Sequence, residues 1–253
     1  EGNVKKFKLT DSDNDFKYDQ IIDVNSNQVY REDDGKIINT ALSFWTDGGN
    51  LPAANTDLGQ VDGRDGSFVS RGGAGQKLPG FIGDDVGHSN SDARRQVFVE
   101  PASGTSLDDF DSNATIAAEL ETLIGAANTL EAQDTIAWAR GIDVDDEDGD
   151  LDFGDSRPWI LGSVLHSRPL AINYGATGGY TVNNPNIRIF FGSNSGFFHI
   201  LENTTTGGIE SGEEVFAFIP RELLGSLPSL RSNGTGSQIY GMDGEPVALV
   251  NDE

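Results

Sequence analysis

The chain contains no cysteine, which excludes disulfides, thiolate nucleophiles and cysteine-ligated zinc together. Histidine is scarce as well. His88, His166 and His199 are far apart, and none stands at a zinc spacing from another ligand. No apolar run approaches the ~18 residues that a membrane-spanning helix needs. Basic residues number 17 against 41 acidic ones, for a formal net charge of −24. A surface so negative repels phosphate backbones and anionic lipid, which argues against nucleic acid or a membrane as partner. Gly72-Gly73-Ala74-Gly75 lacks the lysine and following hydroxyl residue of a phosphate loop. Ser167 beside His166 is not a catalytic pair, because adjacent strand residues point to opposite faces. With no catalytic constellation in view, the chain reads as a non-enzyme.

What is present is glycine, 32 residues, with 9 prolines in a chain of 253. That composition suits many short strands and turns, and the length suffices for one large domain with its own core. Ile187 to Phe191 and Phe197 to Leu201 read as two strands joined by a small polar turn, with Asn194 and Gly196 as its structural residues. Glu214 to Ile219 is a third strand. Sequential strands with short links predict an antiparallel meander, the unit of a β-propeller blade. Val4 to Leu9, Ile21-Ile22 and Val29-Tyr30 predict hairpins near the start, with a turn at Asp33-Asp34-Gly35. Residues 49 to about 112 are rich in glycine, aspartate and serine, with brief apolar runs such as Gln96 to Val99. Two helices follow, over about 114–125 and 130–140, where Ile116, Leu120, Leu123 and Ile124, then Leu130, Ile136, Ala137 and Trp138, define apolar stripes. Gly125 and Gly141 are the expected caps. The stretch 49–158 thus reads as a loop-rich and helical insertion into a mainly β domain spanning 1–253. Trp45, Trp138 and Trp159 are candidates for the core, and His166 and His199 for hydrogen-bonded interior positions.

Several segments together resemble the C-terminal propeller of the PilC/PilY family of type IV pilus biogenesis factors and tip adhesins. Gly2-Asn3-Val4-Lys5-Lys6-Phe7-Lys8-Leu9 is similar to that family's opening strand, Ala41 to Trp45 to its AxSxW segment, and Trp138-Ala139-Arg140-Gly141 to its WxRG segment. His166-Ser167-Arg168-Pro169, the Gly192 to Leu201 hairpin, Ala217 to Pro220 and Tyr240 to Pro246 continue the likeness in the same order. Asn194-Ser195-Gly196 and Gly162-Ser163 each lack an aspartate that the family usually carries there. The resemblance implies a partial propeller of four-stranded antiparallel blades that continues past Pro246 to Val250. It implies a protein without catalytic function that is exported through the periplasm to the pilus tip or outer surface. Its partners would be minor pilins or the pilus tip, and a host or abiotic surface. The run from Phe190 to Phe216 is also similar to a blade of quinoprotein dehydrogenases, which is the alternative.

Two acidic clusters carry explicit site chemistry. Asp11, Asp13, Asp15 and Asp19 occupy positions one, three, five and nine of a calcium-type loop, with the Lys17 carbonyl at position seven. Asp146, Asp148, Asp150 and Asp152 form the second cluster, with Asp143 and Asp145 as alternative members of the set. Alternate residues of a tight loop turn their carboxylates toward one centre, which is how hard cations such as Ca2+ are held. Both loops depart from the full EF-hand pattern. Phe16 and Leu151 stand where glycine is wanted, and Ile22 and Arg157 where the bidentate glutamate belongs. The expected affinity is modest, with a Kd of about 10⁻⁴ to 10⁻³ M.

Overall fold

The computed structural model describes residues 2–78, 95–206, 209–233 and 239–249. His88 and Val250 lie outside them. Ten strands are formed among the described residues: β1 (Lys8–Thr10), β2 (Gln20–Ile22), β3 (Val97–Val99), β4 (Asp108–Asp109), β5 (Leu170–Asn173), β6 (Ile187–Gly192), β7 (Phe198–Glu202), β8 (Thr205–Thr206), β9 (Ile209–Glu210) and β10 (Glu214–Ile219). The helices are α1 (Gly73–Gln76), α2 (Ala114–Ile124), α3 (Thr129–Arg140) and α4 (Leu227–Arg231). Helix and strand take about 20% and 18% of the chain, so helix contributes as much as strand. No closed barrel or propeller is formed among the described residues.

The main sheet has six strands in the order β4-β3-β10-β7-β6-β5. Strands β5, β6, β7 and β10 run antiparallel in sequence order as a four-stranded meander. The β6–β7 link is the polar turn at Ser193 to Phe197, closed by Ser193 N–H to the Phe197 carbonyl (2.9 Å) and Gly196 N–H to the Ser193 carbonyl (3.0 Å). Gly196 has φ +93° there, a conformation in which any Cβ is strained. The departure from a pure meander comes from β3, which lies inside the stretch 49–158 and pairs parallel to β10, with β4 antiparallel beyond it. That stretch therefore contributes two strands to the sheet as well as the helices α1, α2 and α3.

Strand alternation gives this sheet two unlike faces. Val97, Val99, Ala217 and Ile219 point to one side, where Leu120, Ile124 and Ile136 of the helices cover them in one buried cluster. Further along the same face, Ile189, Phe191 and Leu201 pack with Trp45, Trp159 and Leu161 in a second. The opposite face carries Phe98, Phe190, Phe198, Phe216 and Phe218, which are only partly buried. Phe98 meets Phe216 edge to face at 5.8 Å and Phe190 stacks on Phe198 at 6.2 Å.

Helices α2 and α3 match the periodicity and its glycine caps. Asn113 and Asn128 accept N-terminal N–H groups, and Gly125 and Gly141 end the helices with φ +79° and +113°. Leu123 and Leu130 are the exceptions to the two stripes, 39% and 66% exposed. The turn of α3 places Ala132, Ile136 and Ala139 inward instead. The three tryptophans are buried. His199 is interior, whereas the His166 ring is 69% exposed and paired with Asp243 (2.5 Å), so His166 belongs to the surface and not to the core. Pro246 to Leu249 form no strand, and Val247 and Leu249 are exposed.

Between the two buried clusters lies a polar network. The Arg95 guanidinium meets Glu214 at 2.6 and 3.1 Å, with both side chains 1% exposed. Glu214 also bonds His199 Nδ1 (2.7 Å), and His199 Nε2 faces Ser193 Oγ (3.0 Å). Arg95 donates to the Ala139 and Arg140 carbonyls at the end of α3, and Arg140 donates to the carbonyls of Arg95 and Phe110. Charge at a helix C-terminus and satisfied carbonyls fix the hairpin of helices onto the sheet. Ser193, His199 and Glu214 have the order of a hydrolase triad, but Ser193 is fully buried, so its hydroxyl meets no substrate in this conformation.

Candidate metal centres

Both acidic clusters sit in hairpin loops. The first joins β1 to β2, whose register ends at Thr10 opposite Gln20, with Asp19 N–H closing on the Thr10 carbonyl (3.1 Å). The second is closed by the bridge between Ile142 and Ser156 and by Asp143 N–H to the Asp155 carbonyl (2.9 Å). Within them the structure brings Asp11, Asp13 and Asp15 together, and likewise Asp146, Asp148 and Asp150, with ligand oxygens inside 4.8 Å of one another in each group.

The two loops share three hydrogen bonds and the turn at their fourth and sixth positions, and differ at the first, where Asp146 has φ +54° and Asp11 has no positive φ. Phe16 N–H donates to Asp11 (2.7 Å) as Leu151 N–H donates to Asp146 (3.0 Å). Asp15 N–H donates to Asp13 (3.2 Å) as Asp150 N–H donates to Asp148 (3.2 Å). Lys17 N–H donates to Asp15 (2.9 Å) as Asp152 N–H donates to Asp150 (2.7 Å). Positive φ recurs at the fourth and sixth positions: Asn14 and Phe16 at +61° and +68°, Gly149 and Leu151 at +81° and +70°. The chain thus takes the turn that glycine makes easy, although phenylalanine and leucine occupy it.

That turn carries an energetic consequence. A left-handed conformation costs an L-residue roughly 1–2 kcal/mol, and Phe16 and Leu151 are 96% and 77% exposed, so little packing offsets it. Phe16→Gly and Leu151→Gly are each expected to stabilise the protein by about 0.5–1 kcal/mol, after subtracting the extra freedom glycine gives the unfolded chain. Urea unfolding measures this, and a loss of stability in both variants would contradict the loop geometry.

The remaining predicted residues play other parts. Asp19 accepts from Ser12 N–H (2.9 Å) and Oγ (2.8 Å), which hold its carboxyl below the usual range. The Lys17 ammonium pairs with Asp15 (2.6 Å). Asp152 accepts from Gly154 N–H (2.9 Å). Asp19 and Asp152 are outside the two convergent groups. Asp145, adjacent to the second cluster, is held by Arg231 in a two-pronged pair (2.7 and 2.6 Å) that lowers its pKa. Asp143 is fully buried beneath the loop, accepts from Glu147 N–H (2.8 Å), and burial pushes its carboxyl up.

Asp155 was not part of the sequence pattern, since it falls outside the alternation that marks the loop. Desolvation, followed by the charges of Asp148, Asp150, Asp143 and Asp152, pushes it up to about 6. Its Oδ1 is buried with no hydrogen-bond partner among the described residues. A buried acceptor beside a cluster of carboxylates suits a cation, because the cation's charge would offset both the desolvation and the mutual repulsion. The residues of the second loop therefore fit a divalent cation on chemical grounds.

The second loop also borders a cleft of about 990 Å³ that includes Trp138, Glu147, Arg157, Trp159, Asn194 and Arg231. Glu147 accepts from Trp138 Nε1 (2.8 Å) and from Arg157 Nε (2.8 Å), and Arg157 lies over the Trp138 ring at 3.9 Å. Loop and α3 are thereby locked together. Asn194, the predicted turn residue, is 3% exposed, with its backbone N–H on the Ser163 carbonyl (2.8 Å). Neither polar atom of its side chain has a hydrogen-bond partner among the described residues. No family model matches the chain, and neither a curated protein nor a solved structure matches it.

Proposed function

We propose that the chain is a section of a propeller of the PilC/PilY type, and that it acts by occupancy at a type IV pilus, with calcium ordering its two acidic loops. The observation that carries this reading is the shared geometry of the loops at Asp11 to Asp19 and Asp146 to Asp155. Independent sequences that adopt one strained turn, each converging three carboxylates, are accounted for by a common ligand. The antiparallel meander β5-β6-β7-β10 has the connectivity of a blade, and its half-buried phenylalanine face is suited to stacking on a neighbouring blade. Order and spacing of the segments from Gly2 to Pro246 support the pilus assignment.

In this reading Asp11, Asp13 and Asp15 would hold one cation, and Asp146, Asp148 and Asp150 the other with Asp155 close by. The cation supplies positive charge and a fixed shape to loops that otherwise repel themselves. The contact surface would face minor pilins or the pilus tip on one side and a host or abiotic surface on the other, outside the cell.

Calorimetry with millimolar calcium tests the sites directly. Heat of binding is expected for the parent and is lost in a variant carrying Asp13→Ala and Asp148→Ala. At free calcium 100 times the Kd, each site adds about 2.7 kcal/mol to stability. Binding should weaken as pH falls through about 6, because the raised Asp155 carboxyl takes up a proton and no longer favours the cation. Absence of any heat from the parent rejects both sites. At the level of the cell, deletion should reduce surface pili or attachment, and normal piliation and attachment in the deletion strain would refute the pilus role.

A further inference from the structure

Lys6, Asn203 and Glu210 come from distant parts of the chain and meet at one point. Lys6 lies in the first extended segment, whose carbonyl accepts from Phe44 N–H (2.9 Å). Asn203 follows β7, its N–H bonded to the Ile187 carbonyl (2.9 Å), and Glu210 ends the β8–β9 hairpin. The Lys6 Nζ is 2.6 Å from Asn203 Oδ1 and 2.5 Å from Glu210 Oε2. Side-chain exposure is 29% for Lys6 and 23% for Glu210, so the cluster is largely removed from solvent. Two residues beyond Glu210, Gly212 lies so close to Trp45 that an added Cβ would be 2.6 Å from the indole. The backbone here is tightly held.

An amine held against both a carboxamide and a carboxylate is the complete set for forming an amide between side chains. We propose that Lys6 and Asn203 become joined by an intramolecular isopeptide bond, with Glu210 as the general base and acid. Glu210 takes a proton from the Lys6 ammonium, and the free amine attacks Cγ of Asn203. A bond forms between Nζ and Cγ, and the Cγ–Nδ2 bond breaks. Two protons pass in all from the Lys6 nitrogen to the departing nitrogen, carried by Glu210, which ends in its starting state while ammonium leaves. No oxidant, reductant or cofactor enters the balance. Holding the reactants in contact replaces a bimolecular encounter by an intramolecular one, which removes part of the barrier to transamidation of an unactivated carboxamide, and protonation of the departing nitrogen by Glu210 lowers it further. The bond would tie the first extended segment to the main sheet across most of the sequence, in a chain with no cysteine for a disulfide.

The intact mass of the purified, folded protein is the test. It should be lower than the sequence mass by one ammonia, and trypsin should release a branched peptide joining Lys6-Phe7-Lys8 to the segment 189–221. Lys6→Arg keeps the charge and the pairing with Glu210 but cannot form the same amide. That variant should recover the full sequence mass and lose the branched peptide, and Glu210→Gln should fold yet retain most of its ammonia. A parent with the full sequence mass and a linear Asn203 peptide overturns the proposal. So does an ammonia loss that maps to another asparagine, such as Asn233 before Gly234.

Discussion

Exchanging Glu214 for glutamine is expected to lower the unfolding free energy by about 3–5 kcal/mol, the usual cost of leaving one partner of a buried ion pair alone. For a domain whose total stability is about 5–15 kcal/mol, that is a large share. The exchange keeps size and shape but removes the charge that faces Arg95, whose side chain is 1% exposed and cannot turn to water. Burial by itself raises the Glu214 pKa, but the Arg95 charge and hydrogen bonds from His199 and Arg95 bring it down to about 2. A depressed carboxyl stabilises the fold above its unfolded value near 4.5, and that contribution is lost as pH falls from there toward 2. His199 acts in the same direction. Burial lowers its pKa below 6.5 despite the opposing Glu214 contact, so the unfolded chain binds a proton that the native state refuses once pH drops under that value. Denaturant midpoints measured from pH 7 to pH 3 should therefore fall on acidification, beginning near 6.5 and steepening below about 4.5. Arg95→Met combined with Glu214→Leu should cost less than the sum of the two single changes, because both charges leave together. Strict additivity would mean that the pair is not coupled as its geometry requires.

Phe110→Ala is expected to cost about 3–5 kcal/mol, the range for deleting a buried aromatic side chain. Phe110 is fully buried, its ring meets Phe197 edge to face at 6.2 Å, and its carbonyl accepts from Arg140. It stands where the helices, the strands β3 and β4 and the β6–β7 turn converge. The whole molecule should consequently lose stability in one transition, seen alike by tryptophan fluorescence and far-ultraviolet circular dichroism. Two separated transitions, with the meander unaffected by the substitution, would show that the helical part folds as a unit of its own.

Much of the local structure was legible in the chain because it depends on near neighbours. Asn113 and Gly125 bracket α2, Asn128 and Gly141 bracket α3, and the apolar spacing between them specifies a helix whatever lies beyond. The β6–β7 hairpin followed from two apolar runs around a polar turn ending in Gly196. The acidic loops were visible because alternate aspartates within a few residues need no distant partner to converge. Leu130 shows where the pattern stops informing. An apolar residue at a helix start has no inward direction until the neighbour is known, and here the sheet lies on the side of Ala132 and Ile136. Four features were decided by tertiary structure. Val97 to Val99 pairs parallel with β10, a choice between distant strands that no short-range signal encodes. Arg95, Glu214 and His199 became one buried network because sheet order placed them together between two clusters. Asp155 entered the second loop's environment, and Lys6 met Asn203 and Glu210, only when the backbone closed on itself. Contact between residues far apart in the chain depends on the sum of all packing, and spacing in the sequence does not record it.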